Sequence, residues 1–206
     1  MKKIGFLINP IAGMGGSVGL KGTDNLVDEA IGRGAKPIAE NKARGALETL
    51  VDDEFFIMCC AGSMGGDLLK RLGVQDYRIV YHASSRKRTT SEDTRKACKI
   101  FLEDEVDLIL FCGGDGTARD IYSVVGDEIP LLGIPAGVKM HSAVFAINPA
   151  SAARVVADFL RNSVNITEAE IVDVDEEKYR GNVLDVKVFG YARIPYKPVL
   201  IQGRKS

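Results

Sequence analysis

Five short apolar segments alternate with stretches of helical periodicity over the first three-quarters of the chain. Continuous apolar runs of this length are typical of strands that are buried on both faces of a sheet. Strands that alternate with helices predict a parallel sheet, because each crossover needs a covering helix. The predicted strands are 4–8, 55–60, 78–81, 108–112 and 131–134. We therefore expect an α/β fold in which helices flank a parallel sheet.

Helical periodicity is clearest at 43–50, 97–102 and 151–160, where apolar residues recur every three or four positions. Thr89 and Glu92 precede the second of these stretches and stand three residues apart, which predicts a capping box. The helix over 151–160 closes the predicted first domain, which spans residues 1–162.

The pattern changes in residues 163–206, which we expect to be β-rich and to begin a second domain. The predicted elements are strands at 168–175 and 183–189 and a turn at 179–182. Leu184, Val186 and Val188 alternate with charged residues, so we expect their side of the strand to be buried. Because an isolated hairpin is marginally stable, we expect either a longer protein or a homo-oligomer that pairs these strands.

Composition limits the partners and the location of the protein. The 27 basic and 28 acidic residues leave a net charge of −1, so we expect no general attraction to nucleic acid or to an acidic membrane. No apolar window approaches the ~20 residues that span a bilayer, and Asn9 and Pro10 interrupt the apolar N-terminus too early for a signal peptide. The four cysteines lack metal-site spacing and are expected to be reduced thiols. We therefore expect a cytoplasmic protein.

The segment 108–120, Leu-Ile-Leu-Phe-Cys-Gly-Gly-Asp-Gly-Thr-Ala-Arg-Asp, is the most informative for function. Its apolar run ends in a turn whose glycines allow close approach of a ligand. The turn consists of Gly113, Gly114, Asp115, Gly116 and Thr117. If a helix follows, its first N–H groups favour a phosphate at the same place. One carboxylate beside an anion site indicates phosphoryl transfer, although Asp115 could instead cap the helix.

Other predicted strands also end in loops of small residues, and the carboxyl ends of parallel strands meet at one edge of a sheet. The residues of these loops that we predict to bind a nucleotide are Asn9, Gly13, Gly15, Gly16, Gly62 and Lys139. Tight turns explain each loop taken alone, but their recurrence favours a shared polyphosphate site. Neither the dinucleotide fingerprint GxGxxG nor a Walker P-loop occurs in the sequence.

Two functional interpretations are open for each group of charged residues near these loops. Arg119 and Asp120 could contact phosphate or ribose, or could form an exposed ion pair on the helix. The basic run 86–88 could be a solvated loop or could support phosphate binding. His82 and His141 are assigned no role, because a lone imidazole is more often structural than catalytic.

Three motifs together resemble those of the NAD kinase and diacylglycerol kinase superfamily. They are Asn-Pro-Ile-Ala-Gly-Met-Gly-Gly from residue 9, Gly-Gly-Asp-Gly-Thr-Ala-Arg-Asp from residue 113 and Gly-Ile-Pro-Ala-Gly-Val-Lys-Met from residue 133. The set is similar to the predicted ATP-NAD kinase branch related to the acetoin-catabolism protein. The resemblance implies a Rossmann-like N-terminal domain, a β-rich C-terminal domain, and phosphorylation of NAD to NADP by ATP or polyphosphate.

The resemblance also implies roles for single residues. Asp115 would accept the proton of the ribose 2′-hydroxyl or hold Mg²⁺, and Lys139 would contact phosphate. The separate Asn-Glu or Asn-Asp ribose motif of typical NAD kinases has no clear counterpart, because Asn148 and Asn162 are followed by other residues. Two alternatives therefore stay open: a kinase for a lipid or another small alcohol, and a non-catalytic nucleotide-binding regulatory module.

Overall fold

The computed structural model describes residues 1–20, 26–50, 54–85, 89–137, 140–174 and 186–202. All the strands predicted for the parallel sheet are present, and their ends lie within two residues of the expected positions. The strands are β1 Lys2–Ile8, β2 Phe55–Cys60, β3 Tyr77–Tyr81, β4 Leu108–Gly113 and β5 Leu131–Pro135.

These strands form one five-stranded sheet in the order β3-β2-β1-β4-β5, and every neighbouring pair is parallel. Phe6 in β1 lies opposite Cys59 of β2 on one side and Leu110 of β4 on the other. Every residue of β4 is buried, which explains why its sequence is apolar without alternation. The α/β fold and the parallel sheet are therefore confirmed.

Helices connect the strands. They are α1 Met14–Ser17, α2 Val27–Gly32, α3 Ala39–Leu47, α4 Gly66–Leu72, α5 Ser91–Glu103, α6 Asp115–Val125 and α7 Pro149–Leu160, with a 3₁₀ turn at Gly62–Met64. The helices predicted from periodicity correspond to α3, α5 and α7. In α3, for example, Ala39, Ala43, Ala46 and Leu47 are buried, which is the spacing of one helical face.

The predicted capping box of α5 is wrong by one residue. The N-cap is Thr90, and its partner is Asp93 rather than Glu92. Asp93 is buried and also accepts a hydrogen bond from the Tyr81 hydroxyl at the end of β3, at 2.8 Å, whereas Glu92 is exposed and pairs with Arg95. The tertiary contact therefore selects between two overlapping capping motifs.

Strands β6 Asn165–Val174 and β7 Val186–Tyr196 pair antiparallel and form a separate two-stranded sheet, the β-hairpin. The predicted turn at 179–182 and Leu184 lie outside the described residues. Val188 was expected to be buried, but 51% of it is exposed, whereas Ala192 and Ile194 are buried. The reason is a register shift: Ile171 pairs with Gly190 and Val172 with Val188, so the ladder skips Phe189.

The hairpin contacts the first part of the chain through α6. The Tyr122 ring in α6 meets the Phe189 ring edge-on, with centroids 6.1 Å apart. The Tyr191 backbone N–H donates to the Tyr122 hydroxyl oxygen at 3.3 Å. A Cβ on Gly190 would lie 2.2 Å from the Tyr122 ring, so only glycine allows this approach. The division into domains at 162 and 163 stays a prediction.

Two further expectations concern the cysteines and the membrane. Cys59, Cys60, Cys98 and Cys112 are all free and buried, as expected for reduced thiols. Burial raises the pKa of Cys59 to about 12, so its thiol stays protonated at neutral pH. Across the described ranges, none of the helices has the length and apolar character needed to cross a bilayer.

Candidate functional site

The loops after β1 and β4 lie side by side, because these two strands are neighbours in the sheet. The strand order also reverses here, since β2 and β3 lie beyond β1 while β5 lies beyond β4. Ligands of open parallel sheets bind beyond the carboxyl ends of the strands at such a reversal. Asn9 and the turn at 113–117 follow the two strands at this reversal and are therefore the first candidates for a binding site.

The Asn9 side chain organises the first loop. Its amide nitrogen donates to the Thr117 hydroxyl oxygen at 2.9 Å, and its amide oxygen accepts from the Ile11 N–H at 3.3 Å. Its backbone N–H donates to the Cys112 carbonyl oxygen at 2.9 Å. Asn9 thus joins the two loops across the strand reversal, and a direct contact with a nucleotide stays a prediction.

The glycines of the first loop differ in what surrounds them. Gly13 has φ +77°, and a Cβ there would lie 2.2 Å from the Ala136 carbonyl oxygen, so the loops after β1 and β5 touch at this point. Gly15 and Gly16 lie in α1. A Cβ on Gly16 would meet no heavy atom within 4 Å, so the structure leaves open space beside it. The fold therefore requires glycine at position 13 and not at position 16.

The turn after β4 leads directly into α6. Gly113 ends β4, Gly114 is the N-cap residue, and Asp115 is the first residue of the helix. Gly116 and Thr117 complete the first turn, and Thr117 is buried with 4% of its surface exposed. The first N–H groups of α6, with the positive end of its dipole, therefore face the edge where the loops meet. Since Gly114 is the N-cap residue, Asp115 does not cap this helix.

The Asp115 carboxylate accepts hydrogen bonds from a distant loop. Oδ1 accepts from the backbone N–H groups of His141 and Ser142 at 3.1 and 2.8 Å, and Oδ2 accepts from His141 at 2.9 Å. A carboxylate oxygen has about two lone-pair directions. These described contacts use both directions of Oδ1 and one of Oδ2, so Oδ2 has the greater remaining capacity to accept a proton or a metal ion.

The other charged candidates lie farther along α6 or outside the described residues. Asp120 pairs with Arg95 of α5 at 2.8 Å, so its carboxylate already serves to join α5 to α6. Arg119 is half-buried in the same turn. Lys139 and the basic run 86–88 lie outside the described residues. Ligand roles for all of these residues stay predictions.

The loops after β2 and β3 complete this edge of the sheet. Gly62 begins the 3₁₀ turn after β2, and the neighbouring Ala61 N–H donates to the Tyr81 carbonyl oxygen at 2.8 Å. The Gly62 loop therefore lies on the β3 side of the reversal, whereas Gly13 contacts the β5 side. A ligand contact by Gly62 stays a prediction.

A buried carboxylate that the sequence analysis did not select supports the loop after β3. Asp93 accepts from the Tyr81 hydroxyl at 2.8 Å, from the Ser84 N–H at 3.2 Å and from the Thr90 N–H at 2.7 Å. Burial opposes the charge, but these hydrogen bonds outweigh it and lower the pKa of the Asp93 carboxyl. Burial, followed by the bond to Asp93, raises the pKa of Tyr81 to about 12. The sequence signal for Asp93 was the capping motif Thr-Thr-Ser-Glu-Asp, in which both Glu92 and Asp93 are possible partners of a threonine.

The described part of the chain contains no group of three His, Cys, Asp or Glu side chains that could hold a metal ion by itself. Mg²⁺ in nucleotide-dependent enzymes is usually held by one or two carboxylates together with substrate phosphates and water. The remaining capacity of Asp115 Oδ2 fits such a metal, arriving with a nucleotide, and does not fit an all-protein metal site.

Sequence reasoning missed the segment that binds Asp115. His141 and Ser142 contribute backbone N–H groups, and such a contact leaves no signature in residue type. Ser142 is also one of few buried polar residues in the described ranges, with 1% of its surface exposed. Burial of this kind is visible only once the strands have been placed.

Comparison with known proteins identifies one family. The model of the ATP-NAD kinase N-terminal domain matches residues 4–164. No curated protein matches the sequence significantly.

Several solved structures resemble the chain at low sequence identity. A protein of Bacillus anthracis str. Sterne assigned as a diacylglycerol kinase matches with a TM-score of 0.42 and 18% identity, over 85% of this chain and 44% of that chain. A diacylglycerol kinase from the same strain matches with a TM-score of 0.38 and 17% identity, over 85% and 43% of the two chains. UDP-GlcNAc 2-epimerase from Neisseria meningitidis matches with a TM-score of 0.36 and 14% identity, over 65% and 32%. The chain thus spans less than half the length of these proteins.

Proposed function

The chain belongs to the ATP-NAD kinase family, and on that basis we propose that it transfers a phosphoryl group from ATP or polyphosphate to the 2′-hydroxyl of NAD, giving NADP. The observation that carries the proposal is the position of Asp115. Its carboxylate lies in the first turn of α6, at the strand reversal where a ligand of such a sheet binds.

In the proposed reaction, the 2′-oxygen of NAD forms a bond to the γ-phosphorus of ATP while the bond from that phosphorus to the β–γ bridging oxygen breaks. ADP leaves with the electron pair of the broken bond, and the hydroxyl proton passes to Asp115 Oδ2. The N–H groups of the His141 and Ser142 backbone hold the carboxylate in place during the transfer. Mg²⁺ bound to the donor would neutralise charge on the phosphate oxygens, and Asp115 Oδ2 would hold it only where it does not take the proton.

The first turn of α6 supports the donor side of the proposal. Its N–H groups and helix dipole favour negative charge, which suits the phosphates of the donor. The open space beside Gly16 supports close approach of a phosphate to the backbone of the neighbouring loop. Positioning and charge neutralisation of this kind are the main means of catalysis in phosphoryl transfer.

The test compares Asp115→Asn with Asp107→Asn in NADP formation with Mg²⁺ and either ATP or polyphosphate. Asp107 is the matched control, because its carboxylate also accepts a backbone N–H, from Lys3 at 2.7 Å, but at the opposite end of β4. We expect Asp115→Asn to lower kcat by roughly 10²–10⁴-fold with nucleotide binding largely retained, as for loss of a general base. Asp107→Asn should retain activity.

The acceptor is tested with a panel containing NAD, diacylglycerol vesicles and small alcohols. Phosphorylation of another alcohol but not of NAD would overturn NAD as the acceptor while preserving the kinase. Nucleotide binding without any phosphorylated product would instead support a regulatory module and contradict the proposed enzyme.

A further inference from the structure

Residues 140–144, which we call the bridging segment, contact three elements near the candidate site. His141 and Ser142 donate their N–H groups to Asp115 of α6. The Ala143 N–H donates to the Glu170 carbonyl oxygen of β6 at 2.9 Å. The Val144 carbonyl oxygen accepts from the Gly133 N–H of β5 at 2.9 Å. The bridging segment therefore connects the Asp115 carboxylate to the β-hairpin.

Ser142 is the residue where these contacts meet. Its N–H donates to Asp115 Oδ1 at 2.8 Å, and its hydroxyl oxygen accepts from the Val172 N–H of β6 at 3.1 Å. Ser142 is 1% exposed and Val172 is 6% exposed, so water cannot readily replace either contact. A buried N–H that loses its acceptor pays the full cost of desolvation. The hydroxyl is therefore a fixed link between the hairpin and the bridging segment.

We propose that Ser142 is a positioning residue for phosphoryl transfer, which fixes the Asp115 carboxylate by tying the bridging segment to β6. This inference rests on the proposed function, in which Asp115 Oδ2 accepts the hydroxyl proton. The N–H groups of His141 and Ser142 determine which lone pair of the carboxylate faces the hydroxyl group of the substrate. Because Ser142 is buried and its described side-chain and N–H contacts are to Val172 and Asp115, we expect its loss to affect the rate of transfer more than nucleotide binding.

Three variants separate positioning from general packing. Ser142→Ala removes the acceptor of the Val172 N–H, whereas Ser142→Thr keeps a hydroxyl. Ser151→Ala is the matched control, because Ser151 is a buried serine in α7 with 7% of its surface exposed. We expect Ser142→Ala to lower kcat roughly tenfold to a hundredfold with little change in KM for ATP, since small misplacements of reacting groups have effects of this size. Ser142→Thr should recover part of the loss, and Ser151→Ala should retain kcat.

Amide hydrogen exchange tests the same inference without activity. In Ser142→Ala we expect the amides of His141, Ser142 and Val172 to exchange roughly tenfold or more faster, while those of β4 do not change. Equal kcat values for Ser142→Ala and Ser151→Ala in an active enzyme would overturn the inference. Unchanged exchange at His141 and Ser142 would also overturn it.

A double variant separates failure of the inference from failure of the proposed function. If Ser142 acts through Asp115, adding Ser142→Ala to Asp115→Asn should lower the residual kcat much less than it does in the wild type. Independent, multiplying effects would overturn the inference and leave the kinase proposal standing. If the wild type phosphorylates no alcohol in the panel, the proposed function fails, and the exchange rates alone decide whether Ser142 anchors the bridging segment.

Discussion

The Asn9 amide nitrogen donates to the Thr117 hydroxyl oxygen at 2.9 Å, across the point where the strand order of the sheet reverses. The amide oxygen of Asn9 accepts from the Ile11 N–H within its own loop. The nitrogen end of the Asn9 amide therefore joins the two loops, while the oxygen end stabilises the turn of its own loop. This contact joins the loop after β1 to the first turn of α6, which also carries Asp115.

Thr117→Val tests that contact, because it preserves the shape of the side chain and removes the hydroxyl. The Asn9 amide loses its acceptor, so we expect the free energy of unfolding to fall by about 1 kcal/mol and nucleotide affinity to fall with it. Urea denaturation and nucleotide titration measure the two effects. Thr117→Ser keeps the hydroxyl and should retain affinity; equal losses in both variants would contradict a role for the hydrogen bond.

Gly13→Ala should disrupt the loop after β1. Its φ of +77° is unfavourable for alanine, and the new Cβ would lie 2.2 Å from the Ala136 carbonyl oxygen. We expect the free energy of unfolding to fall by more than about 1 kcal/mol, as measured by urea denaturation.

Gly16→Ala is the control in the same loop, because its Cβ would meet no heavy atom within 4 Å. Stability should be unchanged or slightly higher, since alanine favours the helix. If a phosphate approaches the Gly16 backbone as predicted, nucleotide affinity should nevertheless fall. Unchanged affinity in a stable Gly16→Ala protein would remove Gly16 from the predicted binding residues.

Acid should destabilise the protein partly through Asp93. Burial opposes its charge, but hydrogen bonds from Tyr81, Thr90 and Ser84 lower the pKa of the folded carboxyl below its unfolded value. Its contribution is therefore complete above the unfolded pKa of ~3.9 and is lost as the pH falls through the lower folded pKa. Urea denaturation between neutral pH and about pH 3 should show a weaker pH dependence in Asp93→Asn than in the wild type. Equal slopes for the two proteins would exclude Asp93 as a source of the effect.

Gly190→Ala should displace the β-hairpin from α6, because the new Cβ would lie 2.2 Å from the Tyr122 ring. We expect a loss of about 1–3 kcal/mol in unfolding free energy, the usual range for overpacking. Adding Tyr122→Ala should relieve part of this loss, so the two changes should be non-additive in a double-mutant cycle. Additive losses would show that the new Cβ at position 190 does not clash with the Tyr122 ring.

Gly45→Ala is the matched glycine substitution for this experiment. Gly45 lies inside α3, and the nearest atom to its Cβ would be Pro149 Cβ at 3.6 Å, an ordinary contact. Gly45→Ala should raise the free energy of unfolding by about 0.5–1 kcal/mol, as expected for glycine replaced by alanine within a helix.

Local sequence patterns predicted the parallel sheet well and the β-hairpin less well. Strand β4 is buried along its whole length, so its apolar run and the glycines that end it mark both of its boundaries. Val188 belongs to an alternating pattern of apolar and charged residues, yet the register shift beside Phe189 leaves its side chain exposed. Alternation reports which residues share a face of a strand, and only packing decides which face is covered.

The sequence by itself determined the parallel α/β sheet and the position of Asp115 at the end of a buried strand, because apolar runs and glycine turns act over a few residues. The tertiary structure decided what Asp115 and Asn9 contact. Asp115 binds N–H groups 26 and 27 residues away, and Asn9 binds a hydroxyl 108 residues away. Such contacts follow from strand order and from the burial of Ser142, which bring distant backbone and side-chain groups together where water cannot take their place.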